Sequence, residues 1–269
     1  MVRYLSMKNA NAAARTSAAV FILKLAVLSM ALTAAAILLN YIYRSCFLSD
    51  INGRATSADG AQGRFAGGVY SVISDAGHGG RDGGALSVTG TPEKTLNLEI
   101  SLTFSELLRA VGINAIETRT EDTAVGGEAP RGSQKMSDLK GRLEISQASP
   151  GVPFISIHMN KFPQSQYNGL QVWYSKNNDR SKELAEVIRR DTVLLLQPNN
   201  NRAIKPSGNN IFLLDRIESP AVTVECGFIS NPQEAAALET KKYRDALSAV
   251  LTGSVVRYFT GTGDGKTLP

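Results

Sequence analysis

From Val69 onward, apolar runs of strand length alternate with segments whose apolar residues recur every three to four positions. The runs at 69–75, 113–118, 153–158, 169–174, 209–214 and 221–226 predict six strands. Between them, Leu96, Ile100, Phe104, Leu107 and Val111 keep helical spacing, as do Leu184, Val187 and Ile188, and later Tyr243, Leu247, Val250, Leu251 and Tyr258. Alternating elements of this kind predict an α/β domain, a mainly parallel six-stranded sheet with helices on both faces. Thr91-Pro92-Glu93 predicts a helix start with Thr91 as N-cap, and Asn231-Pro232-Gln233-Glu234 predicts another. In open α/β sheets ligands gather outside the carboxyl ends of the strands, so the loops that finish at these caps are where chemistry is expected.

The N-terminal pattern is different. Leu25 to Tyr43 is an uncharged run of 19 residues, extended upstream by Ser17 to Leu23 with Lys24 as the one interruption. That is long enough to cross a bilayer as a helix, and it ends in aromatic residues rather than the small residues of a cleavage site. An uncleaved transmembrane anchor is the expectation, with a cleaved signal and a buried core helix as alternatives. The predicted division is a basic cytoplasmic segment at 1–16, the anchor or signal at 17–43, a flexible linker rich in Gly, Ala, Ser and Asp at 44–68, the globular domain at 69–260 and a tail at 261–269. Basic residues before the apolar run put the domain outside the cytoplasm, anchored to the membrane, or secreted if the segment is cleaved.

Charge supports this division. Of 29 basic residues, Arg3, Lys8, Arg15, Lys24 and Arg44 fall in residues 1–44, which hold no acid, so the net charge of +5 belongs to that segment. The domain itself is balanced, and no nucleic-acid partner is expected. The two cysteines, Cys46 and Cys226, make no disulfide framework, and Cys226 inside an apolar run reads as a small buried hydrophobe.

The chain has only two histidines, and each follows an apolar run: Val72-Ile73-Ser74-Asp75-Ala76-Gly77-His78 and Phe154-Ile155-Ser156-Ile157-His158. His78 stands in a glycine-rich loop that lacks both the Rossmann spacing and the Gly-Lys-Ser/Thr of a phosphate loop. Glu93 follows in the first turn of a helix, where the helix dipole alone would favour an acid. Glu225 interrupts an apolar strand, and a carboxylate there is costly unless paired, protonated or functional. Each residue alone has a structural explanation. Together, two His and two Glu suit a catalytic zinc site, with three protein ligands, one open position for water, and a carboxylate held off the metal to move a proton.

The motifs Asp75-Ala76-Gly77-His78-Gly79-Gly80, Glu93-Lys94, Thr118-Arg119, Leu139-x-x-Arg142, Phe154-Ile155-Ser156-Ile157-His158-Met159-Asn160 and Val224-Glu225-Cys226-Gly227-Phe228-Ile229-Ser230-Asn231 occur in the order seen in zinc-dependent N-acetylmuramoyl-L-alanine amidases. The chain resembles that family over roughly residues 69 to 260, and within it most resembles the germination-specific, spore-cortex amidases. The resemblance implies a zinc-exopeptidase-like fold and hydrolysis of the amide between muramic acid and the first L-alanine of the peptidoglycan stem, in preparation for muramic-lactam formation. It implies one zinc ion held by His78, Glu93 and His158, with Glu225 as catalytic acid/base. Asn160, Arg119 and Arg142 are candidate substrate contacts, although ion pairs that hold loops explain the two arginines equally well. Ser146-Gln147 and Cys226 depart from the family pattern away from these ligands. The implied partners are peptidoglycan, the membrane through the N-terminal helix, and an unidentified accessory activator, if activity is regulated by a partner at all. A zinc exopeptidase and a non-catalytic wall-binding protein are the rival readings.

Overall fold

Parallel strands dominate the sheet because successive apolar runs are joined by helical crossovers. The computed structural model describes residues 70–261, apart from 128, 131, 209 and 210. The chain order is β1 (Ser71–Ala76), α1 (Glu93–Ala110), β2 (Asn114–Glu117), α2 (Gln134–Gln147), β3 (Phe154–Asn160), β4 (Gln171–Tyr174), α3 (Arg180–Leu195), β5 (Lys205–Pro206), β6 (Ala221–Phe228), α4 (Pro232–Leu238) and α5 (Lys241–Thr260). The six strands lie in the order β2-β1-β3-β6-β4-β5. β2, β1, β3 and β6 run parallel, and β4 is antiparallel to β6. The predicted mainly parallel six-stranded α/β sheet is therefore present.

Alternation along β1 separates its two faces. Ser74 hydrogen-bonds Ser101 of α1 on one side, whereas Asp75 meets Arg142 of α2 on the other. On the α1 side, Leu96, Ile100, Phe104 and Leu108 are buried, and α5 adds Leu247, Leu251 and Val255. On the α2 side, Ile73, Phe154 and Ala221 pack with Leu213, Leu214 and Ile217. Helices thus cover both faces.

Two local expectations need correction. The apolar run 209–214 is not a strand. Its described part winds into helical turns, with Asp215 N bonding Ile211 O and Ile217 N bonding Leu213 O, because Leu213, Leu214 and Ile217 face the sheet together at helical spacing. The sixth strand is instead the two-residue β5 on the sheet edge, too short to leave an apolar pattern. Thr91 does not cap α1. Pro92 is the N-cap, and the first helical N–H groups go to loop carbonyls, Glu93 N to Ala85 O and Lys94 N to Gly83 O. Asn231 does cap α4, accepting from Gln233 N and Glu234 N.

Among the described residues no helix is long and apolar enough to cross a membrane. The predicted anchor at 17–43, the linker at 44–68 and the tail beyond Gly261 lie outside the described residues.

Candidate metal centre

His78 leaves the end of β1 with φ of 61°, a left-handed conformation that is rare for a residue with a side chain. The loop folds back at once. Gly79 and Asp82 exchange backbone hydrogen bonds of 3.0 and 3.1 Å, and this reversal sets Asp82 Oδ2 at 2.8 Å from His78 Nδ1. Gly79 and Gly80 have φ of 142° and 57°, values that L side chains rarely adopt. The reversal leaves His78 Nε2 facing Glu93 Oε2 at 3.3 Å.

Glu93 connects the two histidines. Oε1 lies 2.9 Å from His158 Nδ1 and accepts from Met159 N at 3.0 Å, and Oε2 accepts from Ala85 N at 2.9 Å. The carboxylate therefore joins the β1 loop, α1 and the end of β3. One donor atom from each of His78, Glu93 and His158 lies within 4.8 Å of the others, and the two imidazoles meet edge to face with centroids 4.9 Å apart.

The electrostatics match this geometry. Burial opposes ionisation of Glu93, but hydrogen bonding and charge from His158 and His78 outweigh it and hold the carboxyl well below the usual range. Burial also lowers the His78 imidazole, yet Glu93 and Asp82 reverse that and raise it to about 9. The same carboxylates that draw a proton to His78 would draw a divalent cation. Two imidazoles and a carboxylate are ordinary zinc donors, and a carboxylate on the far nitrogen of His78 is the arrangement that orients a metal-binding histidine. The residues present fit such an ion.

Glu225 lies opposite His158 in the β3–β6 register. Its Oε2 is buried with no hydrogen-bond partner among the described residues. Burial first, and the Glu93 charge after it, push the carboxyl up to about 7 against the opposing histidines. Cys226 next to it is buried, and burial pushes its thiol up, out of the reactive range.

Arg119 and Arg142, the candidate substrate contacts, lie beneath the His78 loop and hold it. Both are buried, at 4% and 2% exposure, and they donate beneath the His78 loop. Arg142 donates to Asp75, Asp138, Ala76 O and His78 O, while Arg119 donates to Ala76 O, Gly77 O and Lys94 O. Asn160 ends β3, half-buried, three residues beyond Ile157 and on the same strand as His158.

Asp82 and Asp75 escaped sequence reasoning. Asp82 could have been found as an acid four residues after a histidine in a glycine-rich loop. Asp75, a carboxylate in an apolar strand, carries the same signal that singles out Glu225.

Comparison with known proteins adds the family. The model for N-acetylmuramoyl-L-alanine amidase matches residues 72–256. The germination-specific N-acetylmuramoyl-L-alanine amidase of Bacillus subtilis is 32% identical over 195 residues, 72% of this chain and 81% of that protein. The N-acetylmuramoyl-L-alanine amidase AmiA of Escherichia coli is 28% identical over 72% of this chain and 78% of its own length. Among solved structures, the CwlD amidase of Clostridioides difficile, in complex with the GerS lipoprotein, superimposes with a TM-score of 0.67 at 36% identity, covering 70% of this chain and 97% of that one.

Proposed function

The chain belongs to the N-acetylmuramoyl-L-alanine amidase family, and from that premise we propose that it hydrolyses its substrate with one zinc ion held by His78, Glu93 and His158. It is an N-acetylmuramoyl-L-alanine amidase, a hydrolase of peptidoglycan. The observation that carries the zinc reading is the convergence of those three donors beside Glu225, whose buried oxygen lacks a partner among the described residues. Bound zinc supplies Lewis acidity, activating water near neutral pH and polarising a carbonyl.

Glu225 then acts as the acid/base. With its carboxyl raised to about 7, it is suited to take a proton from the attacking water and return it to the departing amine. Water adds to the lactyl carbonyl carbon, the C–N bond breaks, and the products are a lactyl carboxylate and a free L-alanine amino group. Glu93 keeps the two imidazoles aimed inward, and Asp82 holds His78 in one orientation. Asn160, half-buried at the end of β3, remains a candidate for substrate contact.

The biological setting is part of the same proposal. Similarity to the germination-specific enzyme of Bacillus subtilis supports a role in spore-cortex maturation. The lipoprotein in the Clostridioides difficile complex supports an accessory protein of that kind as a partner. The apolar run at 17–43 supports a membrane anchor with the catalytic domain, 69–260, outside the cytoplasm.

Digestion of purified muropeptides tests the reaction. New lactyl carboxylates with N-terminal L-alanine, lost on treatment with a chelator and restored by zinc, are expected. Release of a terminal amino acid instead would favour the exopeptidase reading, and activity indifferent to chelation would remove zinc from the mechanism.

A further inference from the structure

One densely bonded carboxylate near the centre is not a donor to it. Asp75, fully buried at the end of β1, accepts from Ser156 Oγ at 2.5 Å, from Thr118 Oγ1 at 2.7 Å and from Arg142 Nη1. These three partners come from β3, from the residue after β2, and from α2. Arg142 is held on its other side by Asp138 Oδ2 at 2.8 Å and donates onward to Ala76 O at 2.8 Å and His78 O at 2.7 Å. The chain of bonds thus ends on the backbone of the candidate ligand whose φ is 61°.

A left-handed non-glycine residue persists only where its surroundings over-determine it. Burying a guanidinium and a carboxylate is costly, and replacing such a pair with apolar residues is often neutral or stabilising, so fold stability alone gives it little reason to be here. Its placement explains it better. A planar fork can hold two carbonyls and two carboxylates at once, which an ammonium cannot.

Resting on the zinc reading above, we infer that the Asp75–Arg142 pair is a positioning device for His78, which sets the affinity of the centre for zinc by fixing the backbone at 76–78. Arg142 keeps the His78 carbonyl turned down toward α2, and the imidazole is thereby turned up toward Glu93. Arg119, donating to Ala76 O and Gly77 O, supports the same segment from the side of Lys94.

The test is zinc affinity of the full-length protein by chelator competition, for wild type, Arg142→Lys and Thr118→Val, with melting temperature measured on each zinc-free sample. Leu247→Ala, on the buried face of α5, serves as a variant destabilised without touching the network. Arg142→Lys is expected to weaken zinc binding by roughly 10- to 100-fold, the range for losing a group that orients a metal ligand. Thr118→Val, which removes one bond to Asp75 and leaves the ion pair, is expected to weaken it in the same direction by a smaller factor and keeps the test open if Arg142→Lys fails to fold. Leu247→Ala should lower the melting temperature and leave affinity unchanged. Unchanged affinity in the folded network variants would overturn the inference while leaving the zinc reading intact. A wild-type protein that binds no zinc would overturn both.

Discussion

His158 and Glu225 lie opposite each other on adjacent parallel strands, and Glu93 reaches His158 from α1. One imidazole therefore has two carboxylates of opposite character beside it. Glu93 is bonded at both oxygens and held ionised, and Glu225 has an unpartnered oxygen and a raised pKa. Environments that push two carboxyl groups apart in this way are how a site obtains both a permanent anion and a proton carrier.

Glu225→Gln should separate those roles. The amide keeps the shape and removes the titrating group, so turnover on peptidoglycan is expected to fall by roughly 10² or more. Bound zinc per protein, measured by atomic absorption, should stay at the wild-type value. Normal turnover would remove Glu225 from the mechanism.

Gly77→Ala should damage the centre without adding any charge. A Cβ there would collide with the His158 imidazole at Nε2, which must then swing away from Glu93. Zinc affinity is expected to fall by roughly 10- to 100-fold. Gly84→Ala makes a second test, since its Cβ would stand 2.6 Å from Glu93 Oε2 with φ of +66°. Wild-type affinity in both would show that the loop yields to a Cβ without moving Glu93 or His158.

The Asp75–Arg142 pair gives a pH signature. Burial opposes the Asp75 charge, but Arg142, Ser156 and Thr118 outweigh it and hold the carboxyl below its ordinary 3.8. A carboxyl lowered in the folded state stabilises fully above the unfolded value and loses that contribution as pH falls from 3.8 toward the folded value. Asp75→Asn should therefore cost roughly 3–5 kcal/mol at neutral pH, because it leaves Arg142 without a buried counter-charge. In denaturant titrations with chelator present, the gap to wild type should shrink below pH 3.8. A constant gap would mean that the pair does not act through its charge.

Ile217→Ala examines the corrected element. Ile217 is 1% exposed and packs with Leu213, Leu214 and Phe154 because the segment is wound. Its truncation should cost roughly 2–5 kcal/mol. In an extended 209–214 strand, Ile217 would lie past the end, and the loss measured in urea would be small.

Much of the fold was readable because its signals are local. Five strands were visible as short apolar runs, and three helices as apolar residues at helical spacing, since both patterns record which face is buried. The run 209–214 misled because four consecutive apolar residues fit either element, and only Ile217 packing beside Leu213 decides for turns. β5 was invisible, for two edge residues bury nothing.

The amino-acid sequence alone determined which residues could do the chemistry, two histidines and two glutamates in an order shared with a known family, and on which strand ends and helix start they stand. The tertiary structure alone decided their relationships. Glu93 and His158 are 65 residues apart, and their 2.9 Å approach exists only because β1 and β3 are neighbours in the sheet with α1 packed above them. Arg142 likewise stands open in the sequence between a substrate contact and an ion pair that holds a loop. It is buried because α2 covers the face of the sheet on which Asp75 points, and that side-chain direction depends on strand pairing, which no local pattern records.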